Sequence, residues 1–359
     1  MKIAVVGCGA VGSFYGARLA RAGHDVHFLL RSDYELVRRD GVRVESPEGD
    51  FQVSPRCAAR PEEIGPAEVV LIGLKTTAND QFFRLLPPLV GPGTAVVTLQ
   101  NGLGNEEQLA ELLPLEQILG GLCFVCLNRI APGVIRHLGY GQVVLGEFQR
   151  PPGPRTQELA AYFREAGVSC RITDNLARAH WEKLVWNVPF NGLGVAGAGG
   201  PRALQALETP SSAMPPGTNA HSVFLASLES SSVSCLPTDQ LLADERWARL
   251  VRELMLEVIA AAGALGFKIP EAYADELIAR TRKMGAYKAS TLLDFERGQP
   301  LEMESLFLEP LRRAIRAGVP VPRLAALCAL LGAAPEAGGG RLGAPVRWDA
   351  RAPQTPKQG

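Results

Sequence analysis

Lys183, Asn187 and Asn191 recur at intervals of four, in a stretch whose other members are Leu184, Val185, Trp186, Val188 and Phe190. That spacing puts all three polar side chains on one face of a helix. Asparagine is a poor helix former and lysine is seldom buried, so such a stripe among bulky apolar residues suggests a site. A solvent-facing stripe that happens to repeat has the same spacing, and spacing alone leaves both readings open. As a site, the stripe offers a cation that can also give up a proton, beside two amides that can orient a polar substrate. Pro189 removes a backbone N–H inside this stretch and is expected to kink the helix and free a carbonyl.

A second constellation lies at the start of the chain. Gly7-Cys8-Gly9-Ala10-Val11-Gly12 fits G-x-G-x-x-G, preceded by the apolar run Ile3-Ala4-Val5-Val6 and followed by a helical pattern. In that context Gly7 permits a tight turn, Gly9 lets the backbone approach a pyrophosphate, and Gly12 allows close packing of helix on strand. The helix start supplies free N–H groups to the anion. A glycine-rich turn without a ligand is the bland alternative, and the strand–turn–helix context favours dinucleotide binding. About 20 residues on, the next strand ends Leu29-Leu30-Arg31-Ser32. An arginine there suits a ribose 2′-phosphate, whereas a carboxylate would suit a free 2′-hydroxyl. NADPH is therefore the expected cofactor. Arg31 as a plain surface arginine is the competing account, and Asp33, two residues on, leaves some use of NADH open.

Other polar motifs carry less. Cys123-Phe124-Val125-Cys126 is a C-x-x-C in an apolar, strand-like run with no second cysteine pair, and reads as core thiols. The five histidines show no metal-ligand spacing, so no metal is expected. His180, three residues before Lys183, reads as a capping or packing residue. There is no G-x-S-x-G nucleophile elbow.

The elements that must position these residues follow from periodicity. Strands are expected at 2–6, 25–30, 68–72 and 94–99, with helices between them, which is the pattern of a parallel sheet covered on both faces. Segments near 119–127, 133–138, 142–146 and 167–172 also read as strands. From Asn175 the pattern becomes helical, over 175–195, 242–264, 271–285, 301–317 and 321–332. The predicted architecture is α/β: a Rossmann-type parallel-sheet domain over 1–173, then an all-α domain over 174–332. Residues 201–237 hold eight Ser, five Pro and only three charged side chains. They read as a surface-loop insert dispensable for the fold. Residues 333–359, rich in Gly, Pro and Arg, read as a flexible tail.

The chain has 359 residues, enough for two domains, and its 37 Lys+Arg balance 37 Asp+Glu. No net field draws it to nucleic acid or an anionic membrane. No apolar stretch approaches the ~20 residues that span a bilayer, and the first residues do not form a signal-peptide core. Seven scattered cysteines fit a reducing compartment, so a cytoplasmic location is expected.

Five segments in order resemble the ketopantoate reductase (2-dehydropantoate 2-reductase) family: the opening Lys2–Gly12; Leu74-Lys75-Thr76; Gln100-Asn101-Gly102-Leu103-Gly104; Trp181–Asn187 with Asn191; and Ser290–Asp294 followed by Gly298–Glu302. The resemblance covers roughly 1–198 and 238–332, and departs from the family at the 201–237 insert. It implies NADPH-dependent reduction of a small 2-oxo acid, ketopantoate foremost, by a monomer or homodimer. It further implies that Lys183 is the general acid and Glu302 the carboxylate that organises it. Asn187, Asn191 and Ser290 would hydrogen-bond the substrate, while Lys75 and Asn101 would line the cofactor. Hydride arriving at a ketone carbon builds negative charge on oxygen, and a prepositioned lysine answers it with both charge and proton. A related hydroxy-acid oxidoreductase with another substrate and a non-catalytic NADPH sensor are the alternatives. A sensor, however, has no need of a Lys183–Glu302 pair.

Overall fold

The computed structural model describes residues 1–209, 220–229 and 234–332; the tail expected over 333–359 lies outside them. The chain divides into two compact units, Met1–His180 and a second that begins at Trp181. Numbered along the chain, the strands are β1 (Lys2–Val6), β2 (Asp25–Leu29), β3 (Val42–Glu45), β4 (Phe51–Val53), β5 (Arg56–Ala58), β6 (Val69–Ile72), β7 (Ala95–Thr98), β8 (Ile118–Ala131), β9 (Val134–Glu147) and β10 (Cys170–Ile172). They form one sheet in the order β4-β3-β9-β8-β7-β6-β1-β2-β5, with β10 also on β9. From β8 through β5 the neighbours are parallel, whereas β8 and β9 form a long antiparallel hairpin.

Strand alternation divides the side chains of this sheet between two cores. Ile3, Val5, Val69, Leu71 and Val97 pack with Phe14, Tyr15 and Leu19 of the helix Ala10–Arg21 and with Phe163. Ala4, Val6, Val70, Ile72 and Val96 pack on the other face with Phe82, Leu86 and Leu109. Covered on both faces, these strands read as unbroken apolar runs. The segments read as separate strands at 133–138 and 142–146 are one strand, β9. Register shifts at Phe124/Val125 and Cys126/Leu127 leave Gly141 and Leu138 as the extra residues of β9, between which Tyr140 and Gly139 stay paired. Cys123 and Cys126 lie buried in β8.

The helix Leu176–Ala196 leads from the first unit into the second. It is helical through Pro189, the residue expected to kink it. Burial of Leu184, Val185, Val188, Phe190, Leu193 and Val195 holds it on every side, so packing overrides the missing hydrogen bond. The second unit is otherwise helical, with Glu245–Ala264, Ala272–Thr281, Ser290–Glu296, Glu309–Arg316 and Pro322–Leu330 among its elements. Among the described residues no helix is long and apolar enough to cross a membrane.

The loop expected over 201–237 is corrected by two helices, Gly200–Glu208 and Ala220–Glu229; residues 210–219 and 230–233 lie outside the described residues. Pro201 sits in the first helical turn, where its missing N–H costs nothing. Ala203, Leu204 and Leu207 are buried, as is Phe224, whose ring packs against Gly199 and lies 6.2 Å from Phe295. The segment therefore contributes core. Phe224→Ala should destabilise the protein by about 3–5 kcal/mol, read from a denaturant melt. A loss below ~1 kcal/mol would restore the expectation of a dispensable loop.

Candidate active site

Four parallel strands end in register: Thr98 lies beside Ile72, Ile72 beside Val6, and Val6 beside Leu29. The loops that follow emerge as a row along one edge, bearing Asn101, Lys75, the glycine turn and Arg31 in that order. With strands about 4.8 Å apart, the row spans about 14 Å. This is the carboxyl edge, where open parallel sheets bind their ligands.

The glycines of the turn answer to different constraints. Gly7 has φ +93°, and a Cβ there would lie 2.3 Å from the Leu74 backbone nitrogen. A Cβ on Gly12 would lie 2.2 Å from the Gly7 carbonyl oxygen. Gly9 differs, since a Cβ there would meet nothing in the protein within 4 Å. Packing thus dictates Gly7 and Gly12 and leaves open space over Gly9. The helix Ala10–Arg21 begins with no side-chain cap and no acidic residue in its first turn, so its start suits an anion. Ala10 and Val11 are half-buried in that turn. The Cys8 thiol donates to the Leu29 carbonyl at 3.5 Å, and burial pushes its pKa well up.

Arg31 is exposed directly after β2, whereas Asp33 is buried. The Asp33 carboxylate accepts from Ser32 Oγ at 2.9 Å and is ion-paired with Arg129 of β8. Burial pushes this carboxyl up, but the bonds from Arg129 and Ser32 outweigh it and hold it below the usual carboxylate range.

Lys75 is exposed after β6 and Asn101 half-buried after β7. A chain of amides that the sequence reading missed supports both loops. Thr98 Oγ1 donates to Gln100 Oε1 at 2.9 Å, and Gln100 Nε2 donates to the Leu74 carbonyl at 3.1 Å and to Asn79 Oδ1 at 2.7 Å. Asn79 Nδ2 in turn donates to Asn105 Oδ1 and Gln108 Oε1, and Asn105 Nδ2 to the Asn101 carbonyl. Next along the chain, buried Glu106 lies at hydrogen-bond distance, 2.9 Å, from Nε2 of buried His180, which is thus a polar partner and not merely a packing residue. The first turn of the Lys183 helix is thereby tied to the segment that follows Asn101.

In the second unit Lys183 is half-buried, and Asn187 and Asn191 are buried on the same helix. Asn191 Nδ2 donates to the Asn187 carbonyl at 2.9 Å, and its Oδ1 accepts from the Thr291 backbone N–H at 3.1 Å. The structure thus brings Asn187, Asn191 and the first turn of Ser290–Glu296 together, with Ser290 half-buried. Trp186 is pinned by its indole N–H to Thr281 Oγ1 at 2.9 Å and lies 4.9 Å from Phe190, ring to ring. Glu302 is buried just ahead of a π-helical turn, Glu304–Leu308. That turn runs into Pro310, which has no N–H to donate to Leu306 four residues back. Phe307 of the same turn packs against Gly192, where a Cβ would lie 2.9 Å from its ring. The Glu302 segment is therefore docked on the helix that bears Lys183.

A glycine turn at the carboxyl edge of a parallel sheet, followed in the chain by a helical unit, is an arrangement found in two-unit dinucleotide-dependent oxidoreductases. Two family models match the chain, "Ketopantoate reductase PanE/ApbA" over residues 3–150 and "Ketopantoate reductase PanE/ApbA C terminal" over 224–334. The chain is 39% identical over 330 residues to a 2-dehydropantoate 2-reductase of Nostoc sp., covering 90% of this chain and 92% of that one. Among solved structures it is similar to the 2-dehydropantoate 2-reductase of Geobacter metallireducens, with 45% identity, TM-score 0.79 and coverage of 92% and 99%. The enzyme of that name from Methylococcus capsulatus matches with 33% identity, TM-score 0.75 and coverage of 92% and 96%. The chain belongs to the ketopantoate reductase family, oxidoreductases that use NAD(P)H.

The contrast among the glycines is testable. Gly9→Ala should keep the parent melting temperature while weakening dinucleotide binding about tenfold, because only a ligand needs that space. Gly12→Ala should cost at least about 1–3 kcal/mol of stability. A Gly9→Ala protein that binds as tightly as the parent would show that nothing approaches that turn.

Proposed function

We propose that the protein reduces the ketone of a small 2-oxo acid, ketopantoate foremost, with NADPH as cofactor. What supports this reading is the row Asn101, Lys75, glycine turn and Arg31 along one strand edge and, later in the chain, a helix that bears Lys183 with the buried amides Asn187 and Asn191. The open space over Gly9 and the uncapped helix start fit a pyrophosphate. Arg31 fits a 2′-phosphate, and Asp33, engaged by Arg129, is not at liberty to bind a 2′-hydroxyl. Lys75 and Asn101 would line the ribose and nicotinamide end.

The bound cofactor supplies the hydride. Lys183 answers the charge that builds on the ketone oxygen and donates its proton there. Glu302, at the start of a helical segment where a carboxylate is favoured, keeps Lys183 charged and aimed. Asn187 and Ser290 hydrogen-bond the hydroxyl and carboxylate of the acid. Asn191 has spent one N–H and one lone pair on Asn187 and Thr291, so its first task is to hold Ser290 in place.

The test is oxidation of NADPH, followed at 340 nm, against a panel of 2-oxo acids. Lys183→Ala should lower kcat by roughly 10²–10⁴-fold with NADPH affinity nearly unchanged. Glu302→Gln should fall less steeply, and the double variant should be less than additive. Near-parental turnover in Lys183→Ala would sink the assignment of the proton donor. Arg31→Ala should weaken NADPH and spare NADH, since only the former carries the extra phosphate. Equal losses in fluorescence titrations of both cofactors would make Arg31 structural.

A further inference from the structure

Asp33 occupies the N-cap position of the helix Tyr34–Asp40, yet its side chain makes no capping bond. An aspartate there ordinarily accepts from the N–H groups of its own helix. Instead it is turned to the β8–β9 hairpin, where the Arg129 guanidinium is ion-paired with it and the Gly133 backbone N–H bonds it. Arg129 is part-exposed, while the Asp33 side chain is almost wholly enclosed. An acid at the end of the second strand is the group that takes a ribose 2′-hydroxyl and repels a 2′-phosphate. This chain has such an acid two residues after the arginine that would favour the phosphate.

We propose that Arg129 sets cofactor preference by masking Asp33: it holds the carboxylate in an ion pair, so that Arg31 alone defines the charge met by the ribose. This rests on the NADPH reading above and names a residue for it. Arg129 is a positioning residue here, acting through Asp33 and not by touching the phosphate. With Arg129 in place the three side chains sum to one positive charge. Without it Arg31 and Asp33 cancel, and the carboxylate becomes available to a 2′-hydroxyl or to Arg31 itself.

The experiment is calorimetric titration of the full chain with adenosine 2′,5′-bisphosphate and with adenosine 5′-monophosphate, which differ only in the 2′-phosphate. Arg129→Met should weaken the bisphosphate about tenfold or more and leave the monophosphate within about twofold. Asp33→Asn alone should keep the parent's preference. The double variant should regain most of the affinity lost in Arg129→Met, a rescue that a merely structural role would not give. The NADPH-to-NADH ratio of kcat/KM should follow the same order, and Arg129→Lys should stay near the parent. A parent that binds both nucleotides equally would overturn the NADPH reading, and this proposal with it. A parent that discriminates, beside an Arg129→Met chain that discriminates as well or a double variant without rescue, would overturn this proposal alone. Because Asp33→Asn leaves Arg129 in place, a large loss of bisphosphate affinity in that variant would also overturn it.

Discussion

Everything at the carboxyl edge of the sheet depends on backbone meeting backbone at distances that no methyl group allows. A Cβ on Gly73, just after β6, would stand 2.8 Å from the Gly12 nitrogen and Cα, and one on Gly12 would stand 2.2 Å from the Gly7 oxygen. Three segments therefore share one crowded point: the turn after β1, the first turn of the next helix and the exit of β6. Interiors are packed at crystal-like density, so a contact of this kind fixes geometry instead of merely tolerating it. It sets how far the helix start stands from the strand ends, and hence where its free N–H groups point. Gly9 lies beside this knot but outside it, with nothing of the protein within 4 Å of where its Cβ would stand.

The next layer of order is polar. Loops that follow parallel strands carry backbone groups without ladder partners, and buried ones must be satisfied. Here Thr98, Gln100, Asn79 and Asn105 satisfy one another in series and end on the carbonyls of Leu74 and Asn101. The same side chains that meet the cost of burying these loops also hold the neighbours of Lys75 and Asn101. Removing one member would leave the next unsatisfied, so the two loops are ordered together. The Glu106–His180 pair extends that order to the start of the long helix, where Leu176 also packs against the small residues Gly120 and Gly146.

How much of this was legible in the sequence depended on whether the signal was local. The strands β1, β2, β6 and β7 are buried apolar runs between turn residues, and the glycine turn follows directly, so the α/β reading needed no tertiary knowledge. By contrast β3, β4 and β5 have three or four residues each, with Arg43, Gln52 and Arg56 among them, and exist only because a neighbouring strand is there to pair with. The helices at Gly200–Glu208 and Ala220–Glu229 were missed for a different reason. Averaging Ser and Pro over 37 residues hid the short apolar stripe of Ala203, Leu204 and Leu207. Residue types and spacing singled out Lys183, Asn187 and Asn191 as a candidate site, but partners remote in sequence could not be read. Asn191 with Thr291, His180 with Glu106 and Asp33 with Arg129 are 100, 74 and 96 residues apart.

The lysine helix shows why such partners matter more than helix propensity. It carries Pro189, two asparagines and two glycines, Gly192 and Gly194, a composition that would not hold a helix in water. Three of these weak positions coincide with a contact. Gly192 admits Leu327 and Phe307, Gly194 admits Leu292, and Asn191 secures Thr291. Leu292 lies in the segment that begins with Ser290, and Phe307 in the π-helical turn that follows Glu302. Residues that weaken the helix thus draw in the two segments proposed to act with Lys183. Larger side chains at 192 and 194 would favour the isolated helix while pushing those segments away. Local stability is given up where close approach is needed, and the packing that this permits is what keeps the helix formed.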